Sequence, residues 1–261
     1  MRQNEVLVKF REYSEMLTEI FNYISANGSL DGLMEIRGYT EPYMLDTFQD
    51  IGIAKLEEDV PKFRGYPKEL GLMSKNDRFL LQDRYAIPVL APNGVDMLSI
   101  IGYYPDSRKY ITLPTPFFSR KVAWFNFHNA YQLSQQEGDW QYCCVAVEGI
   151  FDCLSLRALG IPCIATMGAE VSLEKAELLK FFRHVLAVPD ADKAGRKGIE
   201  GRWNVPSNTV FLKLKGGLIE LDDGSVRKVK DMDDFVLFYD DVSEILLDCL
   251  HSDRQIVTLE L

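Results

Sequence analysis

Val147-Glu148-Gly149-Ile150-Phe151-Asp152, then Pro189-Asp190-Ala191-Asp192-Lys193-Ala194-Gly195-Arg196, then Lys230-Asp231-Met232-Asp233: three acidic stretches punctuate the second half of this 261-residue chain. The first two follow apolar segments that read as strands, and each is followed by helix-like sequence. The third follows a polar loop. This is the layout that gathers carboxylates at one edge of a parallel sheet. Six carboxylates in one place repel each other and call for cations. An all-oxygen donor set suits magnesium or manganese, and divalent ions held this way commonly act on phosphates.

The surrounding pattern sets the fold class. Apolar runs at 143–147, 162–166, 184–188 and 209–214 read as strands, with helices expected at 150–159, 172–182 and 194–202. Strands separated by helices of about ten residues imply right-handed crossovers and a mainly parallel sheet. Residues 218–230 read as a polar hairpin or loop insertion, and 233–239 and 242–250 as closing helices. The first half differs. Residues 5–26 carry apolar positions at helical spacing up to the stop at Asn27-Gly28, with shorter helices expected at 31–36 and 41–50. Tyr85–Leu90 and Met97–Tyr104, joined by Pro92-Asn93-Gly94, read as a β-hairpin. The expected organisation is α/β: an α+β N-terminal subdomain (1–135), a parallel-sheet domain (140–238) and a short helical C-terminal tail (239–261), with Ser134–Asp139 as linker.

Net charge is −10, but unevenly spread. Residues 61–130 hold ten basic against five acidic side chains, a net +5, which leaves −15 for the remainder. A basic region joined to an acidic site fits an enzyme that holds a polyanion. No apolar run is long enough to span a bilayer, and the mixed polar start does not read as a secretory signal, so a cytoplasmic protein without a membrane partner is expected. The five cysteines form no C-x-x-C pair; buried reduced thiols are expected, and no zinc.

Spacing carries the chemistry. Asp152, four residues after Glu148 and in the first helical turn, can point back towards it. Asp190 and Asp192 are two apart, as are Asp231 and Asp233, so each pair faces one way if extended.

Glu148, Gly168 and Asp190-Ala191-Asp192 resemble the TOPRIM pattern of a Glu after the first strand, a Gly in the next βα loop and a D-x-D after a later strand. Gly149 to Asp152, Asp190 to Arg196 and Asp231-Met232-Asp233 resemble bacterial (DnaG-type) primases more specifically. So do Met34-Glu35-Ile36-Arg37-Gly38-Tyr39 with Phe48 and Gly52, Arg84-Tyr85-Ala86-Ile87-Pro88-Val89 with Asn93-Gly94, and Arg108-Lys109-Tyr110 with the basic loop from Pro114 to Lys121. The resemblance spans roughly residues 30–238.

That resemblance implies a Rossmann-like TOPRIM domain and template-directed synthesis of short RNA primers on single-stranded DNA, with two or three Mg²⁺ or Mn²⁺ ions. Glu148, Asp190 and Asp192 would be catalytic and metal-binding, with Asp152, Asp231 and Asp233 completing the metal site. Arg37, Arg84, Lys109, Arg120, Lys121, Lys193 and Arg196 would meet template or nucleotide. Ribonucleoside triphosphates and the template are the implied substrates. A replicative helicase is the implied partner, together with a separate zinc-bearing or start-site-selecting protein, since the family's zinc-binding and helicase-docking domains are not found in this sequence. The family's Gly-Gly-Arg reads Ile101-Gly102-Tyr103-Tyr104, which removes one basic contact. These departures suggest a compact, phage- or plasmid-like primase, or one that has lost priming activity. The rival expectations are a TOPRIM nuclease and a non-catalytic single-strand-binding subunit.

Overall fold

The structure, a computed structural model, describes residues 3–260 except 59, 67, 77, 108, 114–115, 192–202, 216 and 221–225. The chain divides into two compact units, 1–118 and 119–261.

The first unit begins with α1 (Gln3–Asn27). Its helical periodicity puts Leu17, Ile20, Phe21 and Ile24 on one buried stripe. Helices α2 (Leu33–Arg37) and α3 (Pro42–Ile51) follow, each closed by a left-handed glycine, Gly38 and Gly52. An antiparallel sheet runs in the order β1 (Ala54–Lys55), β2 (Tyr85–Leu90), β3 (Met97–Tyr104), β4 (Lys109–Thr112). The expected hairpin is present as β2–β3. Its turn is held by the Asn93 side chain, which accepts the N–H groups of Val95 and Asp96, each at 3.1 Å. Pro88 stands in the half of β2 that β1 does not reach, where a missing ladder donor is tolerated. Ser14 on α1 accepts the Met97 N–H at 2.8 Å, tying helix to sheet.

The second unit is a five-stranded parallel sheet in the order β11-β8-β7-β5-β6. Its members are β5 (Cys143–Val147), β6 (Cys163–Ala165), β7 (His184–Val188), β8 (Thr209–Lys215) and β11 (Ile256–Glu260). Helices α5 (Ile150–Ala158) and α6 (Leu173–Leu179) connect β5, β6 and β7. Strands β5 and β7 are wholly apolar in sequence apart from His184, as expected where both faces of a parallel sheet are covered. Between β7 and β8 the chain passes through residues 192–202, so the helix expected at 194–202 lies outside the described residues. A small antiparallel hairpin, β9 (Leu218–Glu220) with β10 (Val226–Lys228), precedes α7 (Met232–Phe238) and α8 (Val242–Leu250).

Two features differ from the sequence reading. Helix α4 (Phe127–Ser134) belongs to the core of the second unit, because Phe127 packs edge-on against Phe182 at 5.7 Å and Tyr131 against Phe181 at 5.9 Å. Residues 134–139 therefore join α4 to β5 inside that unit. The last residues are not all helical: after α8 the chain turns back as β11 and extends the sheet beside β8. Among the described residues no helix is long and apolar enough to cross a membrane.

Candidate active site

Strands β5 and β7 are neighbours with Val147 opposite Val188, so both chains leave the sheet at one level. From β5 the chain runs to β6 on one side; from β7 it runs to β8 on the other. The crevice beyond their C-terminal ends is therefore a topological switch point, the usual ligand position in such sheets. Glu148 and Asp190 sit there. The Asp190 N–H donates to Glu148 Oε1 at 3.3 Å, so the two acidic turns are directly coupled.

Helix α5 starts at Gly149. The Asp152 carboxylate, in its first turn, accepts the Gly149 N–H through Oδ2 at 3.0 Å. A side chain at position 149 has no room, since a Cβ there would stand 2.2 Å from Asp152 Oδ2. The other oxygen, Oδ1, accepts the N–H of Asp233 at 2.8 Å. Asp152 thus joins the start of α5 to the start of α7, where Asp231 is N-cap and accepts the Asp234 N–H at 3.0 Å. Asp233 Oδ1 accepts the Ser155 hydroxyl of α5. Asp234 Oδ2 accepts the Lys230 N–H at 3.2 Å. The Lys230 carbonyl accepts the Ala191 N–H at 2.8 Å, which brings the loop after β7 to the same place.

The carboxylates fall into two layers. Asp152, Asp233 and Asp234 are buried, at 6%, 3% and 3% exposure, with oxygens committed to protein donors. Glu148, Asp190 and Asp231 are half-buried at the edge. Lys230 Nζ lies 3.4 Å from Asp231 Oδ2. Burial pushes the Asp152 carboxyl well above the usual carboxylate range; Asp231, Asp190 and Asp233 push in the same direction, and the Asp233 N–H opposes them. A cation of hard character would relieve that crowding, and the donors are all oxygen, so the residues fit a divalent ion. Among the described residues no three acidic, His or Cys side chains stand preassembled as an ion-binding set. Asp192, Lys193 and Arg196 lie outside the described residues.

The expected cationic residues separate by unit. In the first, Arg84 and Lys109 line one cavity of about 380 Å³ together with Arg78, Tyr104 and Tyr110. The Arg84 guanidinium lies 5.2 Å from the centroid of the Tyr104 ring, and its Nε donates to the Leu80 carbonyl at 2.8 Å. Gly102 makes room for it, because a Cβ there would stand 2.7 Å from Arg84 Cδ. Arg37 is on α2, its guanidinium 5.9 Å from the Tyr39 ring centroid, and does not line this cavity. Arg120 and Lys121 are exposed on the second unit, where the Lys121 carbonyl accepts the Ser172 hydroxyl at 2.6 Å. Arg78, Asp234 and Ser155 are not among the site residues that the sequence reading nominates. The run Asp231-Met232-Asp233-Asp234 was the available signal for Asp234. The five cysteines are buried and form no disulfide.

Gly168 of the βα loop is not sterically required: a Cβ there meets nothing within 4 Å. The left-handed residue of that loop is Met167, with φ 58°.

This arrangement has a recognised class. Residues 145–236 match the Toprim-like domain family. Over 90% of its length, the chain also superposes on DnaG catalytic cores. One "DnaG catalytic core" structure gives a TM-score of 0.66 at 19% identity over 79% of that chain. A DnaG primase catalytic domain bound to single-stranded DNA gives 0.67 at 18% over 78%. A DNA primase domain from Pseudomonas aeruginosa gives 0.67 at 20% over 78%. At these identities the likeness establishes the fold, which is that of the DnaG catalytic core, as the sequence resemblance implied. Among curated proteins none matches.

Proposed function

We propose that this protein is a DNA primase that makes short RNA primers on a single-stranded DNA template. One observation carries the reading: the acidic turns after β5 and β7 and the start of α7 converge at the switch point of a DnaG-like fold. Primase structures of this fold have been solved with single-stranded DNA and, for Mycobacterium tuberculosis, with double-stranded DNA. Their ligands support a nucleic-acid substrate here.

Glu148, Asp190 and Asp231, with Asp152 and Asp233 behind them and with Asp192 as the resemblance implies, would hold two or three Mg²⁺ or Mn²⁺ ions. Such ions, when bound, lower the barrier to attack of a primer 3′-hydroxyl on the α-phosphate of a nucleotide. The protein's own share is orientation. Asp190 N–H fixes the Glu148 carboxylate, and Asp152 fixes the two helix starts. Arg84, Lys109 and Arg78 offer charge-assisted donors to phosphate in a cavity walled by Tyr104 and Tyr110. Arg37, Arg120, Lys121, Lys193 and Arg196 are further candidate contacts to template or nucleotide. A helicase and a separate start-site-selecting protein are the proposed partners.

The test is a gel assay of the purified chain with single-stranded DNA, labelled ribonucleotides and Mg²⁺ or Mn²⁺, beside Asp190→Ala. Short template-dependent RNA, absent with Asp190→Ala, is the expected result. Shortened template without added nucleotides would replace this reading with the nuclease. No product under either metal, with single strands still bound equally by Asp190→Ala, would replace it with a non-catalytic binding subunit.

A further inference from the structure

Among the described residues, Lys175 is a charged side chain that meets no opposite charge. It sits in the first turn of α6, wholly buried. Helical side chains lean towards the N-terminus, so this one runs back along its own helix into the β6–α6 loop. Its Nζ donates to the Thr166 carbonyl and stands 5.0 Å from the centroid of the Trp124 ring. The Trp124 indole N–H in turn donates to the Lys175 carbonyl at 3.0 Å. Among the described residues no carboxylate lies within ion-pair distance of it.

The carbonyl it grips belongs to a particular peptide group. The planar Thr166–Met167 peptide presents its C=O to Lys175, and its N–H, on Met167, donates to the Glu148 carbonyl at 3.1 Å. The preceding N–H, on Thr166, donates to the Val147 carbonyl at 2.9 Å. Met167 itself is left-handed, a conformation that a non-glycine residue keeps only when its surroundings impose it. One rigid plate therefore runs from a buried ammonium to the backbone of Glu148, whose carboxylate accepts the Asp190 N–H.

We infer that Lys175 is a positioning residue: through the Thr166–Met167 peptide it sets the Glu148 end of the carboxylate site. The inference rests on the reading of that site as an ion-holding one. An apolar side chain would fill the same space without desolvating a charge. A buried ammonium retained at a functional edge, with a strained residue beside it, is the kind of local conflict that active sites carry.

The experiment uses the full chain, as wild type, Lys175→Met and Lys175→Gln. Hydrogen exchange by mass spectrometry reads the Met167 and Gly168 amides, Mn²⁺ titration by electron paramagnetic resonance reads the site, and thermal melting reads the whole fold. With Lys175→Met, those amides are expected to exchange faster and Mn²⁺ to bind about 10-fold more weakly, the usual scale for losing a support behind a ligand. The melting temperature does not fall. Lys175→Gln, which keeps N–H donors, recovers part of both losses, and it carries the comparison if Lys175→Met does not fold. Unchanged exchange at Met167 and Gly168 would overturn the positioning role, as would faster exchange with unchanged Mn²⁺ affinity. A wild type that binds no Mn²⁺ would overturn the ion-holding reading itself, and the positioning role with it.

Discussion

The same lysine supplies a thermodynamic prediction with a definite sign. Burial brings the Lys175 ammonium down from its ordinary 10.5 to about 7, with no charged neighbour among the described residues contributing. Below pH 7 the folded and unfolded chains both hold this proton, and the folded chain carries the full desolvation. That gap of pKa, at about 1.4 kcal/mol per tenfold in proton affinity, amounts to roughly 5 kcal/mol. As pH rises from 7 to 10.5, the unfolded chain binds more protons than the folded one, so the penalty shrinks and stability rises. Linkage puts the penalty at about 4 kcal/mol at pH 7, about 2 kcal/mol at pH 9 and nothing above 10.5. Lys175→Met keeps the length and volume of the side chain and removes the titration. It also strips the donor from the Thr166 carbonyl, which costs about 1–3 kcal/mol for a buried acceptor. The variant is therefore expected to be more stable than wild type by about 1–3 kcal/mol at pH 7. Its advantage should shrink by about 2 kcal/mol by pH 9. Urea unfolding of both proteins at pH 7, 8 and 9 and fixed ionic strength measures the difference. Two stability curves that stay parallel would mean that the ammonium is not desolvated in the native state, and the reasoning would fall.

Gly149→Ala places a methyl against Asp152 Oδ2 and should cost about 1–3 kcal/mol in urea while abolishing primer synthesis, because the displaced carboxylate also holds the Asp233 N–H. Arg84→Ala and Lys109→Ala should each make the slope of log affinity against log salt shallower by about 0.7 in fluorescence-anisotropy binding to single-stranded DNA, if each neutralises one phosphate. A slope left unchanged in both would remove this cavity from the nucleic-acid path.

Much of the second unit was legible because its signals are local. The runs Cys143–Val147 and His184–Val188 end at Glu148 and Pro189, where apolar character stops abruptly, and strands of a covered parallel sheet must be apolar throughout. The hairpin from Tyr85 to Tyr104 declared itself through its asparagine-glycine turn. What escaped depends on contacts distant in sequence. Asp152 reads equally as a ligand or a helix-start charge. Only its bond to a backbone N–H 81 residues away shows that it joins two helices. Lys175, in Leu173-Glu174-Lys175-Ala176-Glu177, looks like any solvated helix position, and its burial follows from how α6 lies under Trp124. The allegiance of α4 is decided by rings on Phe181 and Phe182, some fifty residues on. Strand β11 is short and follows polar sequence, so its periodicity had no context until β8 offered it an edge.

The two layers of carboxylate explain how a fold keeps so much like charge at one edge. Backbone N–H donors satisfy the oxygens of Asp152 and the N-cap of α7, and the Ser155 hydroxyl satisfies Asp233; these bonds orient the acids without neutralising them. Lys230 offsets part of the charge at Asp231; the rest of the neutralisation has to come from a bound proton or a bound cation. Burial and three neighbouring acids already push Asp152 towards its protonated form, so an ion held as proposed at Glu148, Asp190 and Asp231 would compete with a proton further back. On the proposed function, ion binding and folding would then be linked through one residue. Because Asp152 holds the starts of α5 and α7 together, any ion that favoured its charged form would also tighten the scaffold that presents Glu148, Asp190 and Asp231.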